Sequence, residues 1–270
     1  MSPGRYQSFE TVASDYDQTR VIPDAHLAVI AQILSRESHL ERGGLFLDAG
    51  VGTGRFAVPL ARLHPGQIIG VDIAPAMIHR ISAKDMGGAV SLAQADLQRQ
   101  PFRDGVFSGA LMVHILHLIE QWPLVLSEIR RMLDSKSGTL FLGLEMGGRS
   151  VLVDFYYERA RALHLLPPSL GASGMAQILA YLRRPERDGG GGAQITQMDT
   201  STLVWKRDVP TALTLEALSR RTYSQMWDIP DDAHREVLRE TQAFALRTLR
   251  RPHAVESLKS RFVLHAVRWR

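Results

Sequence analysis

Apolar and polar positions change rhythm twice along the chain. "DAHLAVIAQILSRESHL" (Asp24–Leu40) places apolar residues at helical spacing, with Asp24 as a plausible N-cap. Residues 5–20 ("RYQSFETVASDYDQTR") read as a helical lead-in before it. From "GLFLDAG" onward the pattern becomes short apolar runs alternating with helical segments. The runs are "GLFLDAG", "QIIGVDI", "AVSLAQADL", "FSGALMVHIL" and "GTLFLGLEM"; the helices are "GRFAVPLARLH", "APAMIHRISAKD" and "WPLVLSEIRRMLD". Near-continuous apolar runs fit strands buried on both faces, and strand–helix repetition predicts a doubly wound parallel α/β sheet.

After Gly148 the alternation stops. Val151–Leu182 is helical, with a break at Pro167–Pro168, and "DGGGGA" (Asp188–Ala193) reads as a flexible linker or an exposed turn. "TSTLVWKRD" (Thr200–Asp208) predicts a strand, Thr211–Arg221 and Asp231–Arg250 predict helices, and Ser260–Arg270 predicts a closing strand. The expectation is one domain over 1–270. It has N-terminal helices in 1–42, a core in 43–148, helical inserts in 149–199 and 209–256, and late strands in 200–208 and 260–270.

Composition narrows the chemistry. The chain has 270 residues, 45% hydrophobic and 22% charged, the balance of a globular protein with room for a core. It has no cysteine, which excludes disulfides, thiolate nucleophiles and Cys-ligated zinc. "MSPGRYQSFE" lacks the basic-then-apolar layout of a secretory signal, and no run reaches the roughly 18 apolar residues of a membrane span. A cytoplasmic location is the expectation. Residues 151–270 carry 18 Lys/Arg against 13 Asp/Glu, scattered along helical patterns as on a solvated face. No nucleic-acid partner is expected.

The candidate site is "FLDAGVGTGRF", Phe46–Phe56. In open α/β sheets ligands bind beyond the carboxyl ends of the strands, and glycines let the backbone approach them. The glycines fall at Gly50, Gly52 and Gly54, whereas a dinucleotide fingerprint needs glycine or alanine where Arg55 stands. The lysine and hydroxyl residue of a phosphate-binding loop are also missing. Asp48, just before the turn, repels phosphates and suits a cationic ligand. Asp72 ends the second run, where a carboxylate can accept from ribose hydroxyls; Asp96 ends the third, in reach of an adenine amino group. Ile73 and Met77 could cover the ring. Turn capping is the plainer role for Asp72 and Asp96, but three acids at three successive strand ends favour a site.

"LDAGVGTGRFAVPLA", "GVDIAPAMI", "ADLQRQPFRDGVFSGALMVHILHLI" and "VLSEIRRMLDSKSGTLFL" together resemble the class I S-adenosylmethionine-dependent methyltransferases, in the small-molecule branch of the ubiquinone/menaquinone-biosynthesis type. The resemblance covers Phe9–Leu144. It implies a Rossmann-like, seven-stranded, mostly parallel sheet with an antiparallel last strand, the helical inserts forming a cap. It also implies S-adenosylmethionine as cofactor, leaving as S-adenosylhomocysteine. By that resemblance Asp48, Gly50, Gly52 and Gly54 would hold the methionine end, Asp72 the ribose, and Asp96 with Leu97 the adenine. The backbone at Met112 and Val113 would meet the amino group, and Tyr16 and Arg20 would lie near the cofactor. Ser108 and Ser135–Gly138 depart from the family's usual acid and Pro-Gly-Gly turn, at structural positions.

Methyl transfer from a sulfonium is an in-line displacement that needs alignment and a dry site, and a base only when the acceptor must lose a proton. His114 and His117, after the fourth run, are the candidates for that base; backbone contacts at a helix entry are their plainer role. Two histidines without further ligands do not make a metal site. Tyr156, Tyr157 and Tyr181, with Leu163, Leu165 and Leu166, would give an apolar cover, and "RRTYSQMWDIP" offers Tyr223, Met226 and Trp227 as a lid. Packing of an added helical layer explains the same residues. A small apolar or aromatic acceptor is expected. Three other readings stay open: a cofactor-binding regulatory protein without turnover, a nucleic-acid methyltransferase and, more remotely, an NAD-dependent oxidoreductase.

Overall fold

A computed structural model describes residues 20–84, 88–168, 170–249 and 254–269. Tyr16 and the rest of the lead-in up to residue 19 lie outside them.

The five apolar runs form strands β1 (Leu45–Ala49), β2 (Ile68–Asp72), β3 (Val90–Gln94), β4 (Phe107–Val113) and β5 (Thr139–Gly147). They pair in parallel in the order β3-β2-β1-β4-β5. The order reverses beside β1, so the β1 and β4 ends flank a crevice where ligands settle in such sheets. Helix α1 (Asp24–Glu37) packs its apolar stripe, Leu27, Ile30, Ala31 and Leu34, on one face of the sheet together with α2 (Ala57–Leu63). Helix α3 (Pro75–Lys84) adds Ile81 to the same cluster. The opposite face is covered by α4 (Trp122–Met132), whose Trp122, Val125, Leu126, Ile129 and Met132 are buried, and by α6 (Met175–Arg183).

The sheet is completed differently from the expectation of seven strands. Beyond β5 lies the 15-residue antiparallel β8 (Val255–Trp269), which starts before the predicted Ser260. Its far side pairs at one end with β6 (Ala193–Gln197) and at the other with β7 (Val204–Pro210), giving eight strands among the described residues. β6 and β7 run along β8 as one interrupted edge strand, because Asp199 Oδ1 accepts from the Ser201 N–H at 3.0 Å and turns the chain between them. The predicted strand over 200–208 is therefore moved to Val204–Pro210, and the insert 149–199 contains a strand. The glycine run before β6 is a built turn rather than a linker: the N–H groups of Gly190, Gly191 and Gly192 donate to the carbonyls of Pro185, Tyr181 and Arg184. A Cβ at Gly190 would lie 2.3 Å from the Arg184 carbonyl oxygen, so no larger residue fits there.

A third cluster sits beside the sheet: α5 (Val151–Ala162), α7 (Thr211–Ser219) and α8 (Asp231–Leu249). Helix α5 begins where it does because Ser150 caps it, accepting from the Leu152 N–H at 3.1 Å. Glu256 of β8 accepts from the Val151 N–H at 2.9 Å, placing a negative charge at the helix start. Phe155 and Phe244 stack at 4.2 Å and join α5 to α8. Among the described residues no helix is long and apolar enough to cross a membrane.

Candidate cofactor and acceptor site

The glycine turn leaves β1 with positive φ at Gly50 (82°), Gly52 (54°) and Gly54 (78°). That conformation is cheap only for glycine. Packing adds a second constraint at two of the three positions. A Cβ at Gly50 would lie 3.1 Å from Ile115 Cγ1, and one at Gly54 3.0 Å from Ile81 Cγ1.

Asp72 ties the first two strand-to-helix turns together. One carboxylate oxygen accepts from the Gly52 N–H and the other from the Ala74 N–H, both at 2.9 Å. A carboxylate has about four acceptor sites. The turn bonds are therefore compatible with a further pair of hydroxyl donors. Asp96 is likewise held by its own turn, accepting from the Gln98 N–H at 2.9 Å. Asp48 lies beneath the turn, 5% exposed, and its Oδ2 has no hydrogen-bond partner among the described residues. Burial pushes its carboxyl up to about 7, and the charge of Asp72 adds to this; the Ala57 N–H and the Arg55 charge pull the other way.

A central cavity of about 340 Å³ opens in front of the turn. Gly50, Gly52, Asp72, Ile73, Met77 and Val113 line one side of it. Asp96 and Leu97 line a narrow cleft that shares Gly50, Asp72 and Ile73 with the cavity, so the ends of β1, β2 and β3 meet at one place. Three of the sequence candidates stand back from the cavity. Asp48 lies below the turn, Gly54 packs on Ile81 and Val58, and Met112 is buried, touching a neighbouring cavity instead.

Across the cavity stand Arg20, Arg149, Arg207, Glu145, His114, His117, Tyr223 and Trp227. His114 holds a left-handed backbone (φ 52°), and its Nε2 accepts from the Glu145 N–H at 3.1 Å. That bond leaves the ring proton on Nδ1. Burial drives the ring down to about 3, and the charges of Arg55, His117 and Arg20 contribute. A ring so weakly basic, with that lone pair engaged, acts as a backbone anchor in this geometry. His117 keeps its place in the cavity, with Nε2 3.5 Å from Ser224 Oγ.

The expected aromatic cover divides. Tyr223 and Trp227 line the cavity, whereas Tyr156, Tyr157 and Met226 are core residues of the helical layer. Tyr156 is fully buried, its hydroxyl 2.6 Å from His234 Nδ1 on α8. Tyr157 packs edge-on against Tyr156. Tyr181 packs edge-on against Trp122, in the cluster under α4 and α6. Sequence reasoning passed over Arg55 except as the residue that breaks a fingerprint. Its Nη1 lies 3.3 Å from Glu145 Oε2 and donates to the Arg20 carbonyl at 2.6 Å. Glu145 was findable: it is a fourth acid at the carboxyl end of a strand. Arg149 and Arg207 carried no such signal.

Comparison with known proteins places this geometry. Residues 47–142 match a family described as a methyltransferase domain. A demethylmenaquinone methyltransferase of Symbiobacterium thermophilum is 30% identical over 149 residues, covering 51% of this chain and 57% of that protein. A malonyl-acyl-carrier-protein O-methyltransferase of Legionella pneumophila is 26% identical over 141 residues, covering 51% and 49%. The chain thus spans about half the length of the curated relatives it matches. Among solved structures, a protein of Anaeromyxobacter dehalogenans provisionally classed as a type II methyltransferase superposes with a TM-score of 0.59 at 16% identity, covering 91% of this chain and 95% of that one. The cyclase SpnF superposes at 0.51 with 16% identity over 90% and 81%. Such identities report a shared fold, and one fold hosts several chemistries. The matched domain, the relatives and the fold agree: residues 47–142 match the methyltransferase-domain family, and the chain is similar to methyltransferases in sequence over about half its length and in fold over most of it.

Proposed function

We propose that this chain transfers a methyl group from S-adenosylmethionine to a small molecule held in the central cavity. The observation that carries the reading is the convergence of the Gly50–Gly54 turn with Asp72 and Asp96 at three adjacent strand ends. The residues fit that cofactor in kind. The turn offers backbone without the lysine that phosphates require, and a buried acid with an unpartnered oxygen lies below it. When bound, the sulfonium supplies an already activated methyl group.

The chain's part is alignment and exclusion of water. Asp72 holds the ribose while bridging two turns, which fixes its carboxylate before any ligand arrives. Asp96 and the Leu97 N–H take the adenine edge, and Ile73 and Met77 cover the ring. Asp48 gains from an ammonium group nearby, because a cation favours its ionised form. Tyr223 and Trp227 form the far wall and keep the reacting atoms dry. Where an acceptor must lose a proton, His117 is the base within the cavity and His114 is not. The two relatives described above are named for different acceptors, so the acceptor is argued from this chain's own cavity.

Calorimetry with S-adenosylmethionine and S-adenosylhomocysteine, NAD as control, tests the reading. Binding of both sulfur compounds, lost in Asp72→Ala and absent for NAD, is the expected result. A folded protein that binds neither overturns it.

A further inference from the structure

Among the described residues the central cavity adjoins two others that differ in kind. One, of about 520 Å³, lies under the start of α6 and is bounded by Met112, Leu142, Leu144, Pro168, Met175 and Ile178. The other, of about 320 Å³, lies between β7 and α7, where Asp208, Glu216 and Arg220 stand beside Leu213 and Leu258. This second one meets the central cavity at Gly148, Arg207, Thr222 and Tyr223, across from the glycine turn. The cavity under α6 meets it at His114, Ile115, His117, Arg149 and Ser224. Ile115 is also the side chain that a Cβ at Gly50 would meet at 3.1 Å, so this opening lies beside the turn proposed to hold the cofactor.

Backbone bonds hold the cavity under α6 open. The Gly171 N–H donates to the His117 carbonyl and the Ala172 N–H to the Leu116 carbonyl, both at 3.1 Å. A Cβ at Gly171 would lie 2.1 Å from the Leu116 carbonyl oxygen, so only glycine permits this approach. One wall of the cavity is thereby fixed to the segment that carries His117, and the space exists before any ligand arrives. Met112 and Met175 make the walls adaptable, and thioethers pack well against ring edges. Apart from the two histidines, the ionisable side chain in its lining is Arg149, which is 61% exposed and paired with Asp154, so it belongs to the mouth. A carboxylate or phosphate seated inside would lose its hydration and gain no partner there. At the junction with the central cavity stands the Ser224 hydroxyl, 3.5 Å from His117 Nε2. A hydroxyl has one donor and two acceptor sites, more than that contact uses. An amine would arrive there as a cation beside the sulfonium and be repelled. A neutral hydroxyl meets neither objection.

We infer that the acceptor is an uncharged aromatic hydroxy compound: its ring system fills the cavity under α6 against Met112, Met175 and Ile178, and its hydroxyl lies at Ser224 and His117, where the two cavities join. The inference rests on the methyltransferase reading and names the class and the seat of its acceptor. Met175 and Ile178 then set specificity through shape, and the cavity beside α7 takes no part.

The test is a fluorescence titration of the protein already loaded with S-adenosylhomocysteine, following the probe's own emission. The probes are 1-naphthol and 2-naphthol, each against the naphthoate with the same ring, and naphthalene. At least one naphthol should bind about tenfold or more tightly than its naphthoate, which must bury an unpaired charge. The same naphthol should bind about threefold or more tightly than naphthalene, the scale of one hydrogen bond. Met175→Trp fills the cavity under α6 and should weaken naphthol binding about tenfold, the usual cost of overpacking. Its affinity for S-adenosylhomocysteine should stay within about twofold. Gln225→Trp narrows the same cavity from an exposed position and should act in the same direction. Leu213→Trp fills the cavity beside α7 from a side chain 52% exposed, and should leave naphthol binding unchanged. If neither naphthol is preferred over both its naphthoate and naphthalene, the inference is wrong while the cofactor reading stands. The same holds if binding survives both tryptophan variants under α6, or falls in Leu213→Trp alone. If the wild-type protein fails to bind S-adenosylhomocysteine, the methyltransferase reading falls and takes the inference with it.

Discussion

The Arg55 guanidinium lies 3.3 Å from the Glu145 carboxylate and joins the end of the glycine turn to the end of β5. The two side chains are 12% and 13% exposed, and the Arg55 head group also lies 4.8 Å from the centre of the Phe56 ring. The pair spans the crevice at its base, between the proposed cofactor wall and the strand whose Glu145 N–H anchors His114. Removing one partner strands the other charge with little water. Arg55→Met should therefore cost about 3 kcal/mol of stability in urea unfolding. Arg55→Met combined with Glu145→Gln should recover part of that loss. Equal stability of wild type and Arg55→Met would show that the pair contributes nothing.

Asp48 makes stability depend on pH in a direction opposite to most aspartates. Its folded carboxyl is pushed up to about 7 from 3.8, so between those values the folded state binds more protons than the unfolded chain. Stability from this group is full below pH 3.8 and is lost as pH rises toward 7, by at most about 1.4 kcal/mol per pH unit. Asp48→Asn should gain stability relative to wild type as pH rises from 4 to 7, and the difference should be flat above that range. Parallel urea curves at pH 4.5 and 7.5 measure it; a difference independent of pH would mean that Asp48 is ionised throughout.

Which features could be read from the chain follows from how local their causes are. Of the five parallel strands, β1, β2, β4 and β5 are buried along most of their length, so each shows as an apolar run; β3, at the edge with only Val90 buried, is marked instead by its place in the strand–helix alternation. β6 has no such run, because "AQITQ" is an edge strand with only Ala193 buried. The first half of β8, "VESLKS", alternates between exposed and covered positions and resembles a loop in composition. The strand-end acids Asp72 and Asp96 stood out because position along a strand is local. The Arg55–Glu145 pair did not, since its partners lie 90 residues apart. Tyr156 and Tyr157, unlike Tyr223 and Trp227, lie in the helical layer rather than on the cavity, and the sequence hid this for a related reason. Helical periodicity shows that Tyr156 has a buried face, but only α8 and His234 decide what it is buried against.

His114 should set an acid limit on stability without shaping the pH profile of catalysis. Its folded value is lowered to about 3 from 6.5, so the stability it contributes is present above pH 6.5 and is lost as pH falls toward 3. In His114→Asn, stability should fall less steeply than wild type across that range. Asparagine tolerates the left-handed backbone, so the variant should fold, at a cost of about 1 kcal/mol for the lost Glu145 bond. The pH–rate profile between 6 and 9 should keep its shape, whereas His117→Asn should alter any limb that comes from a base in the cavity. A limb near neutrality that vanishes in His114→Asn alone would make His114 the base after all.

Tyr156 separates the helical layer from the site. Its hydroxyl bonds His234 inside a cluster formed with Tyr157, Met226 and Val237, away from the central cavity. Tyr156→Phe removes that bond and leaves the ring in place, so unfolding should become easier by about 1–2 kcal/mol. Affinity for S-adenosylhomocysteine should stay within twofold, roughly the scatter expected of a surface change. Trp227→Ala should behave in the opposite way: Trp227 lines the cavity and donates to the Arg221 carbonyl at 2.8 Å, so its loss should weaken ligand binding more than it weakens the fold. The pair of variants, each measured by urea unfolding and by calorimetry, tells a wall from a buttress. If Tyr156→Phe lost cofactor or acceptor binding while remaining folded, α5 would have to present that ring to the cavity in solution, and the helical layer would be part of the site.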